Sequence, residues 1–121
     1  VTNKKIPFVD QNLRINDALK ILSSKKLGIL IIQDKNKKTK GIVTDGQVRR
    51  VNSKKLDFNI LPIRKIMTKR PISIEKDELA TKALSIMDEK KITSLAVHNK
   101  KDKLKTIGII HIHHILHSKI T

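Results

Sequence analysis

The chain repeats its own pattern at a constant spacing of 65 residues, and this duplication limits the folds open to it. The matched segments are Ala18-Leu19 with Ala83-Leu84, Lys25-Lys26-Leu27 with Lys90-Lys91-Ile92 and, after two extra residues in the second copy, Gly41-Ile42-Val43 with Gly108-Ile109-Ile110. At 121 residues, neither copy has enough apolar sequence to form a stable core alone. The repeat therefore predicts two small units that pack together.

The hydrophobic pattern predicts the order strand, helix, strand, strand, helix in both copies. In the first copy, we expect an extended segment at 4–9, a helix over 12–26 capped by Asn16 or Asp17, and strands at 28–32 and 41–44. The strand at 28–32 is continuously apolar, which is typical of a strand covered on both faces. A helix over 45–53 closes this copy, and a short helical turn from Pro62 to Met67 follows.

The second copy predicts an extended segment at 71–74, a helix over 77–90, a strand at 94–97, a lysine-rich turn at 98–106, a strand at 107–111 and a helix over 112–118. We therefore expect an α/β (α+β) fold, with two β-α-β-β-α repeats packed through their sheets around a pseudo-two-fold axis. The expected boundaries are 1–55 for the first repeat, 56–65 for a connector and 66–121 for the second repeat.

The net charge of +16 raises the question of a nucleic-acid partner. The basic residues are mostly lysines spread along the whole chain, and only Phe8 and Phe58 could stack on bases. We therefore predict no nucleic-acid partner, with non-specific polyanion binding left as an alternative. The chain has no cysteine, no signal-peptide pattern and no apolar run of membrane-spanning length, which predicts a soluble cytoplasmic protein without a membrane partner.

One segment, Gly41 to Arg50, joins a short apolar strand to a helix through Thr44 and Asp45. Unpaired N–H groups at a helix N-terminus favour anions, and Arg49 and Arg50 could add charge-assisted hydrogen bonds to a phosphate or carboxylate. The same residues also fit an ordinary helix cap, in which a side-chain oxygen accepts a free backbone N–H. Both interpretations stay open at this point.

Histidines and acids offer two further candidates for chemistry. His113 and His117 are four residues apart on a predicted helix, a spacing that suits a metal, but no acid or cysteine flanks them, so we predict no metal site. Asp77 and Glu78 at the start of a predicted helix are explained by compensation of the helix dipole. No nucleophile and base stand at a recognisable spacing, so no catalytic residue is predicted.

The duplicated pattern resembles a tandem pair of cystathionine beta-synthase (CBS) domains, known as a Bateman module. More narrowly, it is similar to the C-terminal CBS pair of D-arabinose 5-phosphate isomerases of the sugar-isomerase type. The segments that carry the resemblance are Lys26-Leu27-Gly28, Gly41 to Arg50, Ile66-Met67-Thr68-Lys69-Arg70-Pro71, Lys91-Ile92-Thr93-Ser94-Leu95 and Gly108-Ile109-Ile110-His111-Ile112-His113.

The resemblance implies a regulatory module and not an enzyme, attached to an N-terminal sugar-isomerase domain that serves the synthesis of Kdo and lipopolysaccharide. The chain would then be a fragment that begins just inside the first repeat. The resemblance implies no cofactor. It implies a regulatory ligand, CMP-Kdo, AMP or ATP, in the cleft between the repeats, and a homodimer formed through CBS pairs. The alternative is a dimerisation module with an empty cleft.

In CBS nucleotide sites, a hydroxyl after the strand faces phosphate, and an acid three positions later binds the ribose hydroxyls. Here Thr44 keeps the hydroxyl while Gln47 takes the position of the acid, and His111 and His114 occupy the two positions in the second repeat. The ligand-binding residues that the resemblance implies are Leu27, Gly28, Ile29, Val43, Thr44, Asp45, Gln47, Arg49, Arg50, Ile92, Thr93, Ser94, Ile110, His111, His113 and His114.

Overall fold

The computed structural model describes residues 6–25, 28–52 and 57–112. These residues divide into two compact units. The N-terminal unit is Pro7–Pro71, and the C-terminal unit starts at Ile72 and also takes in Ile6. The boundaries predicted from the sequence for the two repeats stay a prediction.

The N-terminal unit contains a four-stranded sheet in the order β1-β2-β3-β4. Its elements are β1 (Phe8–Asp10), α1 (Ile15–Lys25), β2 (Ile29–Gln33), β3 (Thr39–Thr44), α2 (Asp45–Asn52), a 3₁₀ turn (Ile63–Lys65) and β4 (Thr68–Lys69). Strand β1 runs parallel to β2 because α1 crosses between them, whereas β2, β3 and β4 pair antiparallel. The two-residue strand β4 has no counterpart in the sequence-based prediction.

The core of the N-terminal unit lies between the helices and one face of this sheet. Helix α1 buries Ile15, Ala18 and Leu22, a spacing that places the three side chains on one helical stripe. They pack with buried residues of the strands, of the 3₁₀ turn and of the position that follows this turn, namely Val9, Leu30, Ile32, Val43, Ile63 and Ile66. All four residues from Ile29 to Ile32 have 0% exposure, so β2 is buried on both faces, as its continuous apolar run predicted.

The hairpin between β2 and β3 is organised by one carboxylate. Asp34 Oδ1 accepts the backbone N–H of Asn36 at 2.9 Å and that of Lys38 at 3.0 Å, and its Oδ2 lies 3.9 Å from Lys40 Nζ. These contacts lower the pKa of Asp34 below its ordinary value of 3.8, chiefly through the Lys38 N–H, while desolvation acts in the opposite direction.

The C-terminal unit contains a three-stranded sheet in the order β5-β6-β7. Its elements are β5 (Ser73–Glu75), α3 (Ala80–Lys90), β6 (Ser94–Asn99) and β7 (Asp102–His111). Strand β5 is parallel to β6, and β6 and β7 form an antiparallel hairpin. The buried core residues are Ile74, Ala83, Met87, Leu95 and Val97. The predicted helix over 112–118 lies, apart from Ile112, outside the described residues.

The predicted lysine-rich turn over 98–106 is wrong. Strand β6 continues to Asn99 and β7 begins at Asp102, so most of this segment is extended. His98 pairs with Thr106 and Asn99 with Asp102, on either side of a register shift. Side chains at 103–105 are exposed while Thr106 is only 8% exposed. Backbone pairing decides the structure here, because lysine side chains on a strand can reach water without breaking the ladder.

Two helix starts also differ from the sequence-based prediction. Helix α3 begins at Ala80 and not at 77, so Asp77 and Glu78 precede the helix and do not compensate the dipole from within its first turn. The N–H of Glu78 donates to the carbonyl of Glu75 at 3.0 Å, which makes a turn at this point. Helix α1 begins at Ile15, which places Asn16 and Asp17 inside the helix and not at its cap.

The predicted α/β fold class is confirmed. The order strand, helix, strand, strand recurs as β1-α1-β2-β3 and β5-α3-β6-β7, each with a parallel first pair followed by an antiparallel hairpin. The duplication in the sequence therefore corresponds to a duplication of the fold.

Candidate functional site

The candidate site begins where β3 passes directly into α2. Thr44 is the last residue of the strand and Asp45 is the first residue of the helix, without an intervening loop. The backbone N–H groups of the first helical turn have no partner within the helix, so they must bond to side chains, loops, water or a ligand.

Thr44 and Gln47 close this helix end by bonding to each other. The N–H of Gln47 donates to Thr44 Oγ1 at 3.3 Å, and the N–H of Thr44 donates to Gln47 Oε1 at 3.2 Å. This reciprocal pair is a capping box, which requires Ser or Thr at the cap and Glu or Gln three residues later. Of the two interpretations left open by the sequence, the ordinary cap is present in the structure.

Gln47 also holds the helix end to a segment farther along the chain. Its Nε2 donates to the carbonyl of Ile66 at 2.8 Å. Ile66 is buried and directly follows the 3₁₀ turn. The amide of Gln47 thus keeps one N–H and one oxygen lone pair for any other contact.

Asp45 lies over the turn that leads into β2. Its N–H donates to the carbonyl of Gly28 at 3.2 Å, and its Oδ2 lies 3.4 Å from the position that a Cβ would occupy on Gly28. Gly28 has a φ of 73°, which favours glycine. Of the first three N–H groups of α2, those of Asp45 and Gln47 are therefore bonded within the described residues, which leaves that of Gly46. The helix end thus has few N–H groups left to donate to an anion.

The two arginines lie on the last turn of α2, and both are exposed. Arg50 Nη1 comes within 3.6 Å of the Cβ position on Gly46, so its side chain extends back toward the start of the helix. Arg50 makes an interaction within the structure, whereas Arg49 makes no hydrogen bond or ion pair within the described part of the chain. Arg49 is the stronger candidate for an incoming anion.

The C-terminal unit forms the same corner from different side chains. Ser94 pairs with His111 across β6 and β7, as Ile29 pairs with Thr44 across β2 and β3. The N–H of Ile112 donates to the carbonyl of Thr93 at 2.8 Å, which corresponds to the bond from Asp45 to Gly28. In both units, the residue that follows the second hairpin strand is thus bonded to the residue that precedes the neighbouring strand.

The residues predicted to line a pocket differ in how deeply they are buried. Ile29 and Val43 have 0% exposure, and Val43 belongs to the core of the N-terminal unit. Ile92 and Ile110 are partly buried and pack against the core of the C-terminal unit. Thr93 is exposed and Ser94 is 6% exposed.

His111 is partly buried and makes an interaction within the structure. The three remaining predicted residues, Leu27, His113 and His114, lie outside the described residues. The structure also adds Ile66, whose carbonyl accepts the Gln47 amide. No local pattern could have identified Ile66, but the spacing of Thr44 and Gln47 already matched the capping-box pattern.

The model of the CBS domain family matches residues 1–54 and 63–120. Arabinose 5-phosphate isomerase KdsD of Yersinia pestis is 34% identical over 119 residues, which is 98% of this chain but only 35% of the relative. The chain thus spans little more than a third of that curated relative.

Two solved structures illustrate the structural likeness. A putative signal-transduction protein with CBS domains from Burkholderia ambifaria is 27% identical, with a TM-score of 0.84 over 98% of this chain and 85% of that one. The CBS domain protein PAE2072 from Pyrobaculum aerophilum, solved with AMP, is 17% identical, with a TM-score of 0.81 over 98% of this chain and 97% of that one. The second likeness concerns the fold alone.

No helix in the described part of the chain is long and apolar enough to span a membrane. The family match covers both copies of the duplicated fold, and the relative and the solved structures agree with it. The chain belongs to the CBS domain family and carries two CBS domains in tandem.

Proposed function

We propose that this CBS pair is a regulatory module that senses a nucleotide or nucleotide-sugar for a sugar-phosphate isomerase. The observation that carries the proposal is the strand-to-helix corner of the N-terminal unit, whose bond from Asp45 to Gly28 recurs in the C-terminal unit, after β7, as the bond from Ile112 to Thr93. The AMP in the structure of PAE2072 supports a nucleotide as the ligand class. The similarity to KdsD supports arabinose 5-phosphate isomerase as the regulated enzyme.

Each side chain at the N-terminal corner has a distinct proposed contact. Arg49, exposed on α2, would bind a phosphate or carboxylate through charge-assisted hydrogen bonds. The Thr44 hydroxyl accepts the Gln47 N–H and keeps its own proton to donate to the ligand. Asp45 is exposed, and its carboxylate would accept sugar hydroxyls.

The other proposed contacts are the remaining residues that the resemblance implied. They are Leu27, Gly28, Ile29, Val43, Gln47 and Arg50 in the first repeat and Ile92, Thr93, Ser94, Ile110, His111, His113 and His114 in the second. Because Ile29 and Val43 are fully buried, their contribution would be to hold the corner in place.

Regulation requires that the ligand prefer one arrangement of the module over another, since equal affinity for two states shifts neither. The ligand would pass this preference to an attached sugar-isomerase domain, and CMP-Kdo is the end product that suits feedback. We also propose that the module forms a homodimer. The similarity to KdsD supports the link to an isomerase domain, and the size of the assembly is a question for light scattering.

Calorimetry with AMP, ATP and CMP-Kdo tests the sensing proposal. We expect binding of at least one ligand, weakened about tenfold or more by Arg49→Ala, the loss typical of a charge-assisted hydrogen bond. Arg64→Ala is the matched control, because Arg64 is also exposed and its removal changes the net charge equally. Equal weakening by both variants would indicate a general effect of charge and not a contact at the corner.

Absence of heat with all three ligands at millimolar concentration would overturn sensing by this chain and leave the assembly role. A dimer that is indifferent to nucleotides in light scattering is the expected behaviour of that role. Binding of DNA of any sequence, falling steeply with salt, would instead indicate the polyanion alternative.

A further inference from the structure

Gln47 uses both ends of its side-chain amide inside the N-terminal unit. Its Oε1 accepts the N–H of Thr44 at 3.2 Å, and its Nε2 donates to the carbonyl of Ile66 at 2.8 Å. The first bond needs an acceptor and the second needs a donor. A primary amide carries both on neighbouring atoms, whereas a carboxylate can only accept.

The segment that receives the Gln47 bond is also attached to β3. Met67 follows Ile66, and its Cγ and Sδ lie 2.9 Å from the position of a Cβ on Gly41. Thr68 then pairs with Ile42 in the β3–β4 ladder. The end of β3, the start of α2 and the residues from 66 to 69 therefore form a closed set of contacts, which Gln47 completes.

We propose that Gln47 is a positioning residue, whose amide fixes the start of α2, and thus the ligand-facing groups of Thr44 and Asp45, against the segment from 66 to 69. Its effect on ligand binding rests on the function proposed above. This segment leads to Pro71, the last residue of the N-terminal unit. A ligand that displaced the corner would break or strain the Gln47 bond, so Gln47 gives the corner a physical connection to that segment.

The test is Gln47→Glu, which keeps the shape of the side chain but replaces the donor by an ionised oxygen. At about pH 7.5, two acceptors would face each other where Nε2 and the Ile66 carbonyl now lie 2.8 Å apart. We expect the unfolding equilibrium constant to rise about tenfold, as for a buried acceptor that loses its donor.

The same variant should recover in acid. A protonated carboxyl can donate to Ile66 and still accept from Thr44, so the folded state favours the protonated form and raises the pKa of the introduced carboxyl. The defect is then absent below the ordinary glutamate pKa of about 4.3 and grows as the pH rises through the folded-state value. The charged residues on α2 (Asp45, Arg49 and Arg50) and those beside Ile66 in sequence (Lys65 and Lys69) are present in every variant, but their coupling to the introduced carboxylate exists only in Gln47→Glu and adds to the effect of the Ile66 carbonyl.

Two further variants separate this role from simple packing. Gln11→Glu makes the same change at a partly buried glutamine whose side chain has no hydrogen bond within the described residues, and should behave as the original protein at both pH values. Gln47→Ala removes both bonds and should be defective at both. Urea unfolding followed by circular dichroism at about pH 4 and 7.5 measures all of them.

A defect of Gln47→Glu confined to the higher pH supports the proposal. Wild-type behaviour of Gln47→Glu at about pH 7.5, or an equal defect at both pH values, overturns it. Titration with AMP at the higher pH then tests the functional part. Weaker AMP binding by Gln47→Glu supports a positioning role, whereas tighter binding would mean that the side chain at 47 contacts the ligand directly, as the acid at this position does in CBS nucleotide sites, and would overturn it. If the original protein binds no AMP, the sensing proposal fails, and the urea result still decides the role of Gln47.

Discussion

At Gly41, neighbouring atoms leave no room for a side chain. A Cβ at this residue would lie 2.6 Å from the carbonyl oxygen of Thr68 and 2.9 Å from two side-chain atoms of Met67. Since Cβ contacts below 3.0 Å are essentially never found, Gly41→Ala must displace the Thr68 oxygen by at least 0.4 Å. That oxygen belongs to the backbone of β4, which has only two residues.

The expected cost follows from which atoms can move. Met67 can rotate its side chain away, but the Thr68 carbonyl can move only if β4 shifts along β3, which disturbs the pairs of Gly41 with Lys69 and of Ile42 with Thr68. Overpacking of this kind costs about 1–3 kcal/mol, and the backbone clash places Gly41→Ala in the upper half of that range. With a urea dependence of about 1 kcal/mol per molar, the unfolding midpoint should fall by roughly 2 M.

Circular dichroism is the appropriate assay, because the chain contains no tryptophan or tyrosine to report by fluorescence. The matched control is Gly46→Ala, whose Cβ would lie 3.6 Å from Arg50 Nη1, an ordinary contact. Since Gly46 is helical, that variant should be more stable by up to about 1 kcal/mol. A Gly41→Ala protein that unfolds at or above the original midpoint would refute the packing of β4 against β3 described here.

Two further predictions concern a helix end and a hairpin. Lys91 follows α3 with a φ of 58°, a conformation that favours glycine, so Lys91→Gly should stabilise the protein by about 1 kcal/mol in urea unfolding. The control, Lys90→Gly, lies inside the helix and should destabilise the protein by about the same amount. If Lys91→Gly gave no gain in stability, the left-handed cap would be contradicted. Because its N–H contacts lower the pKa of Asp34, the stability that this carboxylate contributes is present above its ordinary value of 3.8 and is lost as the pH falls through the lower folded-state value. Asp34→Asn should remove this acid-dependent loss, and an NMR titration that found the Asp34 pKa at or above 3.8 would contradict the hairpin contacts.

Several features of the fold follow from local patterns alone. The continuous apolar run from Ile29 to Ile32 predicted a strand buried on both faces, and the hydrophobic pattern over 12–26 predicted α1. These predictions succeed because hydrophobic burial follows the period of the backbone, which neighbouring residues are enough to define.

Other features depend on partners that are distant in sequence. The lysine-rich segment before Thr106 resembles a turn locally, but β6 pairs with both of its ends, at Asp102 and Thr106, and the segment is extended. Gln47 occupies a position that the resemblance assigned to a ligand contact, yet the Ile66 carbonyl binds its amide, and only the folded chain brings these two groups together.

The amino-acid sequence by itself determined the duplicated α/β fold, because repeated apolar spacing specifies which faces must be buried wherever the segments lie. Tertiary structure alone decided the extent of β7, the existence of β4 and the hydrogen bonds of Gln47. Each of these depends on a backbone group supplied by a remote segment, and backbone donors and acceptors are the same at every residue, so the sequence carries no mark of which one will be the partner.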